Sequence, residues 1–592
     1  MNKKLLRKKL ALMLANLRKK RPYYCEVEYL HSDGNQYIDT GFVMESGKTM
    51  TFNGNMMWTQ SQGAANFFYG YRSTSSAEYR GDMRAFFVYG ASPAGRVAIR
   101  YGVNTDNSTN VAVSLNTKFN IEFDGTNLKV NGTTYATLTQ AYTPADYKSM
   151  WLFNCNTTGY YSADVNHFIG RIYNWQIWSG GVMVRDLIPV LDWDMKPAMY
   201  DKITRQLFYN KGTGNFTYGR EIHYVDYLEN ISSQATINYI PTTYTPTTNT
   251  NLEAKVRYTG GASGATWAIG AASWWGIHYQ GQGPKIGITN SSSDQYQVYA
   301  PYTAGNDITL KLDGSNVYAD GTLVGSLTKQ NASSTLTLFR YSNSANLSWV
   351  GRIYYLDIWD NNGYVYKFRP AIDENGVGFM FDRVSHTIYD NAGTGNFAYP
   401  PVPIKWVQTD GINSYINTNE IPPSAGILKY LQTKVATLNV FQNSPIFGNA
   451  QSEEQVCWGL EYYNSSYSYA YAATKKSYPI HFTSITASSS PVERSIIVTS
   501  TQSVYIDGLT YDISAEEYQG TQNNTTICLG RLGPNIIPSA EAHNRFYSAK
   551  ILNAFVPVFK DGKAGMLNTG TNEFCGNAGT GTIVGGPIIE SG

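Results

Sequence analysis

Few residues in this chain have the types and spacing that chemistry needs. Seven histidines and five cysteines (Cys25, Cys155, Cys457, Cys528, Cys575) could ligate a metal or act as nucleophiles. No His-Glu-x-x-His or Cys-x-x-Cys spacing occurs among them, and no histidine reads as lying beside a second plausible ligand, so free thiols and no metal site are expected. Glycoside cleavage needs two carboxyl groups flanking the scissile bond. The nearest acidic pairs are Glu26-Val27-Glu28 and Glu453-Glu454, and both read as solvated surface charge. Asp201 and Asp382 each follow an aromatic at equivalent places and read as turn caps. With no Gly-x-Ser-x-Gly elbow, phosphate-cradling loop or Cys-His pair, a non-enzymatic protein is expected. Aromatic rings remain. Trp274-Trp275-Gly276-Ile277-His278-Tyr279, then Trp458, Tyr462, Tyr467 and Tyr469, could stack on sugar rings while amides bond the hydroxyls. Candidate glycan contacts are therefore Trp274, Trp275, Tyr279, Trp458, Tyr462, Tyr467 and Tyr469, with sandwich core or subunit packing as the competing reading.

The elements that must position these rings are strands. At 592 residues, with 42% hydrophobic, 14% aromatic and 15% charged residues, the chain is too long for one core and too apolar for disorder. Short apolar runs alternate with Asn, Ser, Thr and Gly, which favours β-structure throughout. Charge is uneven. Nine of the 46 basic residues are Lys3, Lys4, Arg7, Lys8, Lys9, Arg18, Lys19, Lys20 and Arg21, leaving 37 against the 44 acidic residues of the rest. A weakly acidic body thus carries a basic arm suited to a negative surface. Leu6, Leu10, Met13, Leu14 and Leu17 recur at helical spacing, so residues 2–20 read as a basic amphipathic helix ended by Pro22. Its apolar run is followed by Arg18-Lys19-Lys20-Arg21 where a signal peptide has small residues, and it falls short of a bilayer span.

The chain repeats itself. Gly170-Arg171-Ile172-Tyr173 returns as Gly351-Arg352-Ile353-Tyr354, and Gly212-Thr213-Gly214-Asn215-Phe216 as Gly393-Thr394-Gly395-Asn396-Phe397. Met199-Tyr200-Asp201 matches Met380-Phe381-Asp382, while a looser third copy holds Lys550-Ile551-Leu552 and Ala578-Gly579-Thr580-Gly581. Three domains follow, at 23–220, 221–401 and 402–592 behind an anchor segment at 1–22. Tyr173, Trp175 and Ile177 read as one core face of a strand. Asn131-Gly132, Asp320-Gly321 and Asp507-Gly508 each end an apolar run and predict hairpins. The expected fold class is all-β: three tandem antiparallel two-sheet sandwiches preceded by a short basic helix.

Glu28-Tyr29-Leu30, Gln36-Tyr37-Ile38-Asp39-Thr40-Gly41, Arg185-Asp186-Leu187-Ile188-Pro189 and Phe208-Tyr209-Asn210-Lys211-Gly212 carry a resemblance. They resemble the laminin-G-like, concanavalin-A-like jelly-roll domains, in the variant found in tailed phages of gut bacteria and in prophages. The resemblance covers nearly everything after residue 22, strongly in the first copy, well in the C-terminal half of the second and loosely in the third. It implies jelly rolls and a head or tail fibre, decoration or adhesin on the virion surface, made in the host cytoplasm and released by lysis. The arm would then seat in a capsid, portal or tail protein. A homo-oligomer is expected, a trimer first, with cell-surface glycans as further partners, no membrane span and no nucleic-acid role. No cofactor is expected, although the resemblance leaves room for calcium, which some relatives bind through loop Asp and Asn residues. A bacterial or prophage surface glycan-binding adhesin and a polysaccharide-degrading enzyme are the alternatives.

Overall fold

The computed structural model describes residues 22–589 apart from 46, 61–65, 72–82, 89–94, 102–106, 139–147, 157–167, 232–237, 261–265, 281–283, 291–296, 343, 362, 410–413, 421–429, 438–443, 451–455, 463–468, 473–479, 483–493, 500–502, 508, 513–527, 530–543 and 551–553. The basic arm, from Lys3 to Arg21, lies outside the described residues, and so do Tyr467 and the Glu453-Glu454 pair. Among the described residues every regular element is a strand and none is a helix, in keeping with an all-β chain.

One ladder occurs three times. In the first repeat Met50–Trp58 lies between Lys118–Phe123 and Ile169–Ser179, and the latter continues through Val182–Leu191 to Pro197–Asp201 and Gln206–Tyr209. Asn251–Tyr258, between Ile308–Asp313 and Gly351–Asp360, holds the same place in the second repeat, as Tyr430–Thr437 between Arg494–Thr499 and Asn544–Lys550 does in the third. A second antiparallel sheet accompanies each ladder: Ile38–Val43 to Asn107–Ala112, Ile240–Pro241 to Gln297–Pro301, and Ile416–Asn417 to Ile480–Phe482. In the second repeat Leu252, Ala254, Val256, Leu310 and Leu356 of the ladder share one apolar cluster with Ile269, Trp275, Ile277, Ile286 and Ile288 of the other sheet. This two-layer packing is consistent with jelly-roll sandwiches.

The turn chemistry explains why the ladders agree. Asn131 and Gly132 take φ 49° and 77°, Asp320 and Gly321 take 48° and 80°, and Asp507 takes 51°, the left-handed pair that a two-residue hairpin needs. Each Asx side chain also accepts a backbone N–H from the neighbouring strand, from Asn120 at 2.9 Å, Thr309 at 2.8 Å and Ser495 at 2.9 Å. The period-two reading of the central strand needs correction. A bulge between Ile172 and Asn174 shifts the register, so Ile172, Trp175 and Ile177 face the core while Tyr173 turns to the other side, against Tyr29 and the Lys118 ammonium.

Neighbouring repeats are joined by more than linkers. Cys25–Val27 pairs with Val182–Leu191 on one side and Glu221–Tyr224 on the other, and the latter strand pairs with Gly363–Ile372, so the first two ladders form one continuous sheet. Val402–Pro403 pairs with Ala554–Lys560, and Tyr399 donates to the Gly376 carbonyl at 2.6 Å while accepting from Gly562 N–H at 3.0 Å.

Candidate functional site

The second sheet of the second repeat has two different faces. Its inner residues, Ile269, Trp275, Ile277, Ile286 and Ile288, fill the core. On the outer face Trp267, His278, Tyr299 and Tyr341 gather around the hairpin turn that carries Trp274. Trp267 stacks on His278 at 4.5 Å between centroids and lies 4.7 Å from Tyr341; Trp274 stands edge-on to Trp267 at 5.9 Å. Offset and edge-on pairs of this kind each contribute about 0.5–1.5 kcal/mol beyond burial.

Glycine makes room for this cluster. Gly287 lies between His278 and Tyr299 in the ladder, and a Cβ there would come within 2.1 Å of the Val298 carbonyl oxygen and 2.6 Å of the Tyr299 ring. With no side chain in that row, the His278 ring reaches over to Tyr299, whose hydroxyl is 2.8 Å from Nε2. That hydroxyl donates to Gln297 Oε1 at 2.8 Å, so Nε2–H donates to Tyr299 and Nδ1 is left as a bare acceptor. Among the described residues neither His278 Nδ1 nor Trp267 Nε1 has a hydrogen-bond partner, although both are buried. Burial, with the Lys285 cation second, pushes His278 down to about 4, so the ring is neutral near pH 7.

The turn itself is strained. Ser273 and Trp274 both hold positive φ, 70° and 60°, which costs roughly 1–2 kcal/mol per residue for side chains with a Cβ. Hydrogen bonds hold it there. Trp274 N–H donates to the Tyr341 hydroxyl at 3.1 Å, Thr289 Oγ1 donates to the Trp274 carbonyl at 2.6 Å, and Ala272 N–H donates to Ser334 at 2.8 Å. The result is a large ring, 41% exposed, mounted on a fixed turn over an aromatic floor, with the Ser273 and Ser333 hydroxyls 2.9 Å apart beside it.

The sequence-derived candidates separate. Trp274 lies on the outer face. Trp275, 1% exposed, points into the core because the strand alternates, and Tyr279 is on that same inner side, stacked on Tyr258 at 4.1 Å. Trp458, Tyr462 and Tyr469 lie in the strands Val456–Tyr462 and Tyr469–Ala472, and their side chains are outside the described set. Trp267, Tyr299 and Tyr341 were not picked out in the sequence. Trp267 could have been, since it stands across from His278 in the hairpin that Trp274 closes.

Two further expectations change. Glu26 and Glu28 are not solvated. Glu26 is buried, accepting from Tyr23 at 3.3 Å and Tyr224 at 2.9 Å, and burial raises Glu28 above the usual carboxylate range. Nor are all histidines remote from ligands, because His223 Nε2 lies 2.8 Å from Glu221 Oε2. The capping reading of Asp201 and Asp382 holds. Asp201 accepts from the N–H groups of Asp186, Ile203 and Thr204, and Asp382 from those of Lys367, Val384 and Ser385. In the third repeat Asn568 holds the equivalent place, accepting from Gly570 and Thr571, and Met566-Leu567-Asn568 carries its signal in the sequence. Cys25, Cys155, Cys528 and Cys575 are all buried.

No protein-family model and no curated protein matches the sequence. Among solved structures the chain is similar to domains LG4-5 of the mouse laminin alpha1 chain, at 11% identity and a TM-score of 0.21, covering 58% of this chain and 91% of that one. It is also similar to a protein from Bacteroides ovatus ATCC 8483 that is provisionally assigned to carbohydrate binding, at 10% identity and a TM-score of 0.22, covering 59% and 93%. Likeness at this level establishes no family and carries no ligand across.

Proposed function

We propose that this chain is a non-catalytic binding protein: three tandem jelly-roll domains, at 23–220, 221–401 and 402–592, of which the second engages glycans through the outer aromatic face around Trp274. The observation that carries the reading is the strained turn that presents Trp274 to solvent over Trp267 and Tyr341. A pyranose offers an apolar C–H face that stacks on indole, and the Ser273 and Ser333 hydroxyls lie where its hydroxyl groups can be met. Backbone strain held by neighbouring hydrogen bonds is a reasonable sign of a functional position. A panel of bacterial surface and mucosal oligosaccharides presented to the full-length chain tests this, with reproducible binding to at least one pyranose-containing glycan expected. Binding to none would remove the glycan reading.

The same proposal places the chain on a virion surface as an oligomeric head or tail fibre or decoration. It rests on the basic amphipathic pattern of residues 2–20 and on the resemblance to phage jelly rolls. Leucines buried in a groove contribute about 1.5–3 kcal/mol each, so apolar contacts would dominate retention. Particles assembled with a chain lacking residues 1–21 should then carry none of it; a normal copy number would refute the anchor.

A further inference from the structure

We propose that Cys25, Glu221 and His223 bind a borderline-soft divalent cation of the zinc class, and that the ion staples the junction of the first and second repeats. The argument begins with register. Glu26 faces Ile222 and Val27 faces Glu221 in an antiparallel pair, so Cys25 falls opposite His223. Side chains alternate along a strand, which puts Cys25, His223 and Glu221 on one face and sends Glu26 and Ile222 to the other. The coordinates agree: one thiol sulfur, one imidazole nitrogen and one carboxylate oxygen lie within 4.8 Å of one another. His223 Nε2 is 2.8 Å from Glu221 Oε2.

Ligand chemistry selects the metal. A thiolate, an imidazole and a carboxylate suit zinc or cobalt(II) and are a poor set for calcium or magnesium, which take oxygen ligands. Bonds of about 2.0–2.3 Å in a tetrahedral site separate ligand atoms by roughly 3.3–3.8 Å, so these three groups need shift by no more than about 1 Å. Three protein ligands leave a fourth position for water. The groups are well enclosed, with Cys25 fully buried and the His223 and Glu221 side chains 2% and 12% exposed.

The position gives the ion its consequence. Cys25 belongs to the strand that pairs with Val182–Leu191 of the first ladder, and His223 faces Ile372 in the Gly363–Ile372 strand of the second. An ion held by both would cross-link the seam through which, among the described residues, these ladders become one sheet. Binding requires the thiol to lose its proton, so affinity rises with pH.

The test uses the full-length, tag-free, reduced protein after removal of metal with a chelator. Titration with Co²⁺ should show one equivalent bound, with a thiolate-to-cobalt charge-transfer band and the strong visible bands of tetrahedral cobalt, all displaced by Zn²⁺. Cys25→Ser should lose the charge-transfer band, His223→Gln should bind at least tenfold more weakly, and Cys575→Ser should behave as the parent does. No charge-transfer band in the parent, or an equal one in Cys25→Ser, overturns the site. If Cys25→Ser does not fold, Glu221→Gln, which keeps a hydrogen-bonding partner for His223, should still bind Co²⁺ at least tenfold more weakly; unchanged affinity overturns the proposal.

Discussion

Replacing Asp382 by alanine isolates what the recurring aspartate contributes. Asp382 is fully buried and accepts from Lys367 N–H at 2.9 Å, Val384 N–H at 3.1 Å, Ser385 N–H at 3.0 Å and the Ser385 hydroxyl at 2.5 Å. Alanine leaves three backbone donors stranded, at about 1–3 kcal/mol apiece before any water enters, so a local loss of roughly 3–5 kcal/mol is expected. A chain of several domains has no single unfolding free energy, which makes amide exchange the better assay. At about 1.4 kcal/mol per tenfold, the Val384 and Ser385 amides should exchange at least a hundredfold faster in Asp382→Ala. Asn568→Ala in the third repeat strands two donors, from Gly570 and Thr571, and should show a smaller effect on their exchange. Acceleration below about threefold in Asp382→Ala would mean that the turn is held by packing and that the capping argument is wrong.

Further expectations concern pH and packing. Burial pushes Lys118 down to about 7 although its ammonium meets the His386 carbonyl at 2.8 Å and the Tyr173 ring at 3.7 Å. The unfolded chain therefore holds the extra proton between about 7 and its ordinary 10.5, and stability should rise with pH across that window; thermal melts of Lys118→Met should lose this rise. His278 acts in the same direction in a more acid window. With its folded value near 4 against an ordinary 6.5, it contributes stability that is lost as pH falls through that interval, and melts of His278→Gln should fall less steeply there. Gly287→Val would drive its Cβ into the Val298 carbonyl and the Tyr299 ring, so its midpoint should drop and the His278–Tyr299 contact, followed by imidazole NMR shifts, should be lost.

Much of the architecture was legible because it rests on local chemistry. Asn131-Gly132 and Asp320-Gly321 announce hairpins through residues that tolerate positive φ, and the repeat of Gly-Arg-Ile-Tyr marks the central strand of the ladder. What escaped the sequence lay across strands. Tyr173 left its predicted face because one bulged residue reverses the alternation, and no composition signal marks a bulge. Trp274 and Trp275 look equivalent as neighbours, yet one is 41% exposed and the other 1%, a difference set by which face of the sheet each occupies. Cys25 and His223 are almost two hundred positions apart and meet only through the pairing of two short strands. Glu26 reads as surface charge until Tyr23 and Tyr224 are seen to enclose it.

The central claim is that Trp274 is the binding element, and affinity of the parent and Trp274→Ala for the same oligosaccharide tests it most directly. A stacking ring that acts as a binding hot spot contributes about 1.4–3 kcal/mol, so calorimetry on the full-length chain should show binding weaker by roughly tenfold to more than a hundredfold. Removal of Trp274 gives up the ring contacts with Trp267 and Tyr341, about 0.5–1.5 kcal/mol each, so the melting midpoint should drop only modestly and the fold should persist. Equal affinity in the two proteins, with the variant properly folded, would contradict the account and move recognition away from this face.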